Sequence, residues 1–412
     1  MLARVRDNEH GWSRMTQQVR ALAGTRVIDA ATMVAGPLGA SVLADFGADV
    51  VKVEPIAGDE SRTFGPGRDG MSGVYAGVNR NKRAIALDLR TEEGRELFHE
   101  LCAGADVLIE NMLPTVRAKF GLTAEELRER HPYLICLNVS GYGDSGPSAG
   151  RPALDPVAQA LTGMIQGTGD PDGRGIKAGP PVADSSAGYL VAVAALVSLF
   201  ARQKTGAGQN GSVSLVASLF HLQSPWLGQY MLADYVAPRV GNASNFYAPY
   251  NAYATRDGGA VHIVAFNDRH FERFVKAAGA EHLLDDERFT NAASRLAHRE
   301  ELDVVLAPWF AERDRDDIVT LLTDQNIICA PVLAYDEAVD HPQIRALEMV
   351  VGLESEALGE VRVPGLPIKL SDTPGRVERP PTALGEHTAE LLKELGHNDQ
   401  DIARLLAARV VR

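Results

Sequence analysis

The stretch Arg26–Glu54, RVIDAATMVAGPLGASVLADFGADVVKVE, decides the fold class. Arg26–Ala31 (RVIDAA) is a short apolar run and reads as a buried strand. Gly36–Phe46 then sets apolar residues at helical spacing, and Asp49–Glu54 (DVVKVE) returns to strand character. A strand, a helix and a strand with tight connections make a parallel pair joined by a right-handed crossover. The pattern recurs, with a strand at Ala84–Leu89, a helix at Thr91–Ala103, and strands at Asp106–Glu110 and Leu134–Val139. This repetition predicts a doubly wound α/β domain.

Further along, Pro156–Met164 and the apolar run Ser186–Lys204 read as helices, the second closed by Gly206 as its C-terminal cap. Gly211–Val216 (GSVSLV) alternates like a strand. The texture changes after about residue 225. Tyr250–Phe266 alternates around Asp257-Gly258-Gly259, a hairpin signal, and more charged helices follow to about Gln325. The partition expected is an N-terminal extension (1–24), a large domain (25–224), a smaller α+β domain (225–330), and a C-terminal segment (331–412) returning to the large domain.

The chain has 412 residues, 45% of them apolar and 23% charged, the profile of a soluble globular protein with room for a large core. A net charge of -13 argues against nucleic acid as a partner, because phosphate binding needs a basic face. A local pocket can still oppose that sign for a small anion. Cys102, Cys136 and Cys329 are too few and scattered for a disulfide framework or a zinc site, and their apolar neighbours predict buried, reduced thiols. The longest apolar stretch, Ala187–Ala201, is too short to span a bilayer, and the first 24 residues carry no apolar signal core. A cytoplasmic location away from membranes is expected.

The chemistry-bearing residues leave several readings open. The first strand-helix turn reads MVAGPLG, without the G-x-G-x-x-G of a dinucleotide site, although a helix N-terminus there can attract an anion. No G-x-S-x-G elbow marks a nucleophilic serine, and the eleven histidines show no metal-ligand spacing. No metal is expected. Asp184 follows a Pro-Pro break and precedes an apolar helix, so its carboxylate fits a helix N-cap. Aspartate is also a nucleophile in acyl and phosphoryl transfer, and the residue alone does not choose between the two.

Ten short stretches in order narrow the choice. They are Val34-Ala35-Gly36-Pro37, Ala48–Pro55 (ADVVKVEP) with Gly58-Asp59, Asn81–Asp88 (NKRAIALD), Ala105–Pro114 (ADVLIENMLP), Ser140–Pro147 (SGYGDSGP), Arg151–Ala160 (RPALDPVAQA), Ala183-Asp184 with Gly188, Lys204–Gln209 (KTGAGQ), Cys329–Val332 (CAPV) and Leu384–Thr388 (LGEHT). Together they resemble the class III CoA-transferase family, which also holds carnitine CoA-transferase, formyl-CoA transferase and α-methylacyl-CoA racemase. The resemblance implies a Rossmann-like large domain, a small domain, and two chains threaded into an interlocked homodimer.

It implies, further, that Asp184 is the nucleophile that takes an acyl group from an acyl-CoA and passes CoA to a carboxylic acid, with Asp155 as a supporting carboxylate. Coenzyme A would enter as substrate. Leu87, Leu89 and Arg90 would meet its adenine end, Asn111 and Lys119 its pantetheine and phosphates, and the Ala35 backbone the thioester. Lys119 stands where an Arg is usual, which keeps the charge and loses the bidentate fork. The usual N-F-R-P is Asn111-Met112-Leu113-Pro114 here, so one expected cation is missing. The alternative within the family is a 2-methylacyl-CoA racemase. Its second acid/base, a His before the supporting Asp, is Leu154 here, which speaks against racemisation. Val34 and Leu154 likewise disfavour formate or oxalate. Trp226, Tyr230, Tyr235, Phe246, Tyr247 and Tyr250 would give the acyl pocket aromatic character or simply pack a hairpin core. Arg239 would be placed to meet a substrate carboxylate.

Overall fold

The computed structural model describes residues 19–412, which divide into two compact units. The first takes the chain as far as Ala153, then Asp184–Ser218 and Ala346–Arg412; the second takes Leu154–Ala183 and Leu219–Arg345.

The first unit is built on six parallel strands: β1 (Arg26–Ala30), β2 (Asp49–Glu54), β3 (Lys82–Ala86), β4 (Val107–Glu110), β5 (Ile135–Ser140) and β6 (Asn210–Ser214). Their order is β3-β2-β1-β4-β5-β6. The chain winds outward from β1 in one direction and then restarts on its other side, so β1 and β4 form the switch point of a doubly wound sheet. Strands covered on both faces bury apolar side chains, as Val27, Ile28, Val51, Ile85 and Ile109 show by their full burial, but Asp29, Lys52 and Lys82 are buried among them. The third strand ends at Ala86, short of the expected Leu89. Leu87 and Asp88 are drawn to the C-terminal segment instead: Leu87 bridges Val411, and the Asp88 amide donates to the Val410 carbonyl at 2.8 Å. Leu391, Leu392, Ile402 and Leu405 of that segment complete the same core as Ile28, Val51 and Leu108.

Helix α1 (Ala35–Asp45) joins β1 to β2, and α2 (Glu92–Ala103) joins β3 to β4. Thr91 caps α2, its hydroxyl accepting the Gly94 amide at 3.0 Å. Helix α3 (Pro114–Phe120) follows β4, starting on a proline and ending at Gly121 in the left-handed region, φ 67°.

Helix α4 (Val182–Thr205) begins four residues before the expected Ser186, directly after Pro180-Pro181. It ends as expected at Gly206, φ 70°. By length and composition its 24 residues suffice to cross a membrane, which corrects the expectation drawn from Ala187–Ala201 alone. One face is nonetheless core: Ala187, Val191 and Ala195 are fully buried. That face meets α1 at two glycines. A Cβ on Gly39 would stand 2.3 Å from Val191 Cγ1 and 2.7 Å from the Gly188 carbonyl oxygen. Gly39→Ala is therefore expected to lower stability in urea unfolding by about 1–3 kcal/mol, the usual range for an overpacked contact. At Gly77 an added Cβ meets nothing within 4 Å, and Gly77→Ala serves as the control that leaves the transition in place.

The second unit carries an antiparallel sheet of β7 (Tyr250–Ala254), β8 (Ala260–Val264) and β9 (Ile328–Pro331), in the order β9-β8-β7. The expected hairpin is β7-β8, its turn made by Gly258 at φ 82° and by Asp257, which accepts the Gly259 amide at 3.3 Å. Its core is Tyr253, Val261, Ile263, Phe271, Phe274, Phe289 and Phe310. Trp226, Tyr230, Tyr235, Phe246 and Tyr247 are 39–53% exposed and lie outside it, so packing of the hairpin core is not their role.

Segment 154–183, expected in the large domain, belongs to this unit, and the chain passes between units at four places rather than near 224 and 330 alone. Arg239 supplies the physical reason. Its guanidinium donates to the carbonyls of Gln166 (3.0 Å), Asp170 (3.3 Å) and Gly173 (2.7 Å), while the Gly241 amide donates to Gly169 at 2.9 Å. Arg239 thus holds the backbone of segment 154–183. Cys102 and Cys136 are buried free thiols, and Cys329 is half-buried. Burial raises all three, Cys136 to about 12.

Candidate functional site

A groove of about 460 Å³ opens at the C-terminal ends of β1 to β4, where open α/β sheets receive ligands. Its walls come from Ala30 and Thr32 after β1, Val53–Ala57 at β2, Leu87–Arg90 at β3, Asn111–Leu113 after β4, and Val116 and Phe120 of α3. Four residues named from sequence, Leu87, Leu89, Arg90 and Asn111, therefore share one cavity. Arg90 is mostly solvent-exposed and forks onto Asp88, with Nε at 2.8 Å and Nη2 at 2.7 Å from the two carboxylate oxygens. That pairing raises Arg90 and lowers Asp88. Lys119 is exposed on α3 and does not line the groove.

The loop from β1 to α1 reaches the groove through Thr32, and its backbone is held at Ala31, Thr32 and Met33. The Ala31 amide donates to Asp29 at 3.2 Å, and the Ala31 carbonyl accepts from Lys52. Asn111 spans the switch point, its Oδ1 accepting the Thr32 amide at 3.0 Å and its Nδ2 donating to the Thr32 carbonyl at 2.9 Å. The Met33 amide donates to Asp59 at 3.1 Å, which supports a left-handed backbone (φ 69°) that a methionine rarely adopts. This loop delivers Ala35 as the first residue of α1. The Ala35 carbonyl lies against α4, 2.9 Å from where a Cβ on Gly188 would stand. Gly188 is one helical turn beyond Asp184, so the Ala35 backbone borders the start of α4.

The clamp rests on a buried ion network. Asp29 and Lys52 face each other in register on β1 and β2, both fully buried. Lys52 Nζ sits 2.9 Å from Asp59 and 3.8 Å from Asp29. Lys82 Nζ, also fully buried, donates to Asp29 (2.8 Å), Asn79 Oδ1 (2.9 Å) and the carbonyls of Pro37 (2.8 Å) and Val78 (3.0 Å). Burial works against Lys52, but Asp29, Asp59 and Glu54 outweigh it and hold its ammonium above the ordinary value. Burial wins at Lys82 and pulls it down to about 8. Burial likewise opposes Asp59, whose carboxyl is nonetheless held low by Lys52 and by the Ser61 and Met33 amides. Alongside, Glu54 takes Arg62 bidentately at 2.8 and 2.7 Å. Of these, Lys52, Glu54, Asp59 and Lys82 lie inside the ordered motifs and Asp29 inside the first strand, none with an expected role, while Asn79 and Arg62 lie outside them. The available signal was charge inside apolar strands, where a buried ion needs a partner.

Asp184 is the third residue of α4 and half-buried, in the first turn rather than at the expected N-cap. Asp155 supplies an amide acceptor there. It is 6% exposed at the start of the helix Asp155–Leu161, and its Oδ2 accepts the Ala183 amide at 2.6 Å. Its Oδ1 accepts from Gln159 Nε2 at 2.5 Å, and Gln159 Oε1 accepts the Ala178 amide at 2.8 Å. Asp155 and Gln159 thereby organise the segment that leads into α4. Asp184 itself stands at the positive end of a 24-residue helix. Among the described residues, no three His, Cys, Asp or Glu side chains gather as a metal site.

The sequence pattern of CoA-transferase family III matches residues 22–388. The chain belongs to that family. A succinyl-CoA–D-citramalate CoA-transferase of Chloroflexus aurantiacus is 33% identical over 95% of this chain and 98% of its own length. A succinate–glutarate CoA-transferase of Agrobacterium fabrum is 36% identical, over 91% and 95% respectively. In structure, a CAIB/BAIF family protein from Brucella suis superposes with a TM-score of 0.85 at 33% identity, covering 91% of this chain and 99% of the other. This protein is thus a family III CoA-transferase, an enzyme of acyl-CoA metabolism. Its transferase chemistry draws on CoA thioesters.

Proposed function

We propose that the transferase moves CoA from a succinyl-type thioester to a short carboxylic acid through covalent intermediates on Asp184. The observation that carries this reading is the placement of Asp184 in the first turn of α4, with the Ala35 backbone against Gly188 one turn on. A carboxylate oxygen of Asp184 attacks the thioester carbonyl, the C–S bond breaks, and a mixed anhydride and CoA thiolate result. The thiolate attacks the aspartyl carbonyl, releasing the donor acid and leaving an aspartyl-CoA thioester. The acceptor carboxylate attacks that thioester in turn, and the thiolate set free attacks the acceptor's carbonyl, regenerating Asp184. Amides at a helix N-terminus favour the charge on the oxygen at each addition. Asp155 holds the Ala183 amide, and so fixes the backbone one peptide before the nucleophile. Leu87, Leu89 and Arg90 take the adenine end of CoA, Asn111 its pantetheine, and the Ala35 backbone the thioester, while Lys119, exposed on α3 and outside the groove wall, offers its ammonium to the phosphates.

The succinyl donor and dicarboxylic acceptor follow the named relatives, which are transferases of that kind. Leu154 supplies no proton-transfer group, and nothing favours epimerisation. The same reading includes an interlocked homodimer. Its support is an apolar stripe on the outer face of α4, where Tyr189, Val193, Val197 and Phe200 are 47–60% exposed. Incubation with succinyl-CoA and hydroxylamine is expected to convert the Asp184 carboxyl to a hydroxamate, seen by mass spectrometry of its peptide. Turnover with that peptide unmodified would overturn the covalent route.

A further inference from the structure

Helix α3 walls the groove with Val116 and Phe120; none of its residues is fully buried, and of its side chains Phe120 packs against the core. Behind it lies a second cavity of about 310 Å³, lined among others by Glu110, Arg117, Asn138 and Asp144. Glu110, the last residue of β4 and 5% exposed, reaches both parts of the groove wall from that side. Its Oε2 accepts the Met112 amide at 2.7 Å, and its Oε1 accepts from Arg117 Nη1 of α3 at 3.2 Å. Met112 and Leu113 line the groove directly, and Asn111, between Glu110 and Met112, clamps Thr32.

We propose that Glu110 is a positioning residue for the CoA groove, whose ionised carboxylate holds the 111–113 loop and α3 against the ligand. This rests on reading the groove as the CoA site. Charge-assisted bonds to an amide and a guanidinium are stronger than those of a neutral acid, so the wall is firmest when Glu110 is ionised. The charged and titratable groups facing it are Arg117 from α3, Asp144 from the loop after β5, and Cys136 from β5. Burial pushes its carboxyl up to about 7, against the pull of Arg117 and the Met112 amide, with Asp144 adding to the rise. The switch therefore falls in the neutral range.

Binding of CoA itself, followed by calorimetry from pH 6 to 8, tests this. Wild-type affinity is expected to rise with pH relative to Glu110→Gln by about tenfold, the scale of one hydrogen bond to a charged group. Titration of the ligand's phosphate is common to both proteins and cancels in the comparison. In turnover the same difference appears in the KM for acyl-CoA rather than in kcat. Arg117→Met removes the cation that favours ionisation and moves the wild-type midpoint to higher pH, a readout that survives should Glu110→Gln fail to fold. Parallel profiles for wild type and Glu110→Gln, or an unmoved midpoint in Arg117→Met, would overturn the proposal while leaving the CoA groove intact. Absence of CoA binding by the wild type at every pH would overturn the groove assignment and this inference with it.

Discussion

Asp184→Ala is expected to lower CoA exchange by at least about 10³-fold, as losing a covalent nucleophile does, while CoA affinity changes by less than about twofold. The separation follows from geometry. The groove that would hold CoA is built from Ala30, Thr32, Leu87–Arg90 and Asn111–Leu113, none of which is on α4. Asp184→Asn should lose as much activity while keeping the shape and hydrogen-bonding capacity of the side chain, which separates lost nucleophilicity from a disturbed helix start. Exchange within tenfold of wild type in either variant would rule Asp184 out as the acyl carrier. Loss of CoA binding together with exchange would instead make it part of the ligand site.

Lys52→Met is expected to destabilise the first unit by about 3–5 kcal/mol in urea unfolding, because it leaves buried carboxylates without their cation. Asp59 loses the fully buried ammonium that stands 2.9 Å from it, and the Ala31 carbonyl loses its donor. The double variant Lys52→Met/Asp59→Asn removes both charges, so it should be more stable than the sum of the single effects predicts. Strict additivity would show that the two do not act as a pair. The loop those groups clamp carries Ala35, so Lys52→Met should also raise the KM for acyl-CoA. The pH dependence has a definite sign. Asp59 is held below its ordinary value, so its contribution is complete above the unfolded carboxylate range and is lost as pH falls through the lowered value. Asp59→Asn should accordingly flatten the acid limb of the stability profile.

Much of the first unit was legible because its signals are local. The strands at Arg26, Asp49 and Val107 announce themselves as short apolar runs, and Gly206 and Asp257-Gly258 mark a helix end and a turn by their own backbone freedom. Four of the six residues aligned to a CoA site met in one groove, because each follows a strand at the same edge of the sheet. The partition between units was harder. Segment 154–183 has helical and turn signals that suit either unit, and the ties that place it come from Arg239, about seventy residues away in sequence. The aromatic run from Trp226 to Tyr247 suits an acyl pocket or a hairpin core by composition, and its rings lie outside the core that Tyr253 and the phenylalanines of the following helices fill.

The sequence by itself determined the strand-helix-strand class, the family, and the identity of Asp184 as the residue to suspect. Periodicity and ordered motifs are written along the chain and survive without knowledge of packing. Only the tertiary structure decided what holds those residues in place. Asp155 meets the Ala183 amide across 28 positions, and Asn111 meets Thr32 across 79. Lys52 becomes a buried anchor rather than a surface cation because β1 and the Asp59 loop close over it. A charge in a strand can be solvated or buried with equal ease on paper. Its role is set by which carboxylates and carbonyls the folded chain brings within reach.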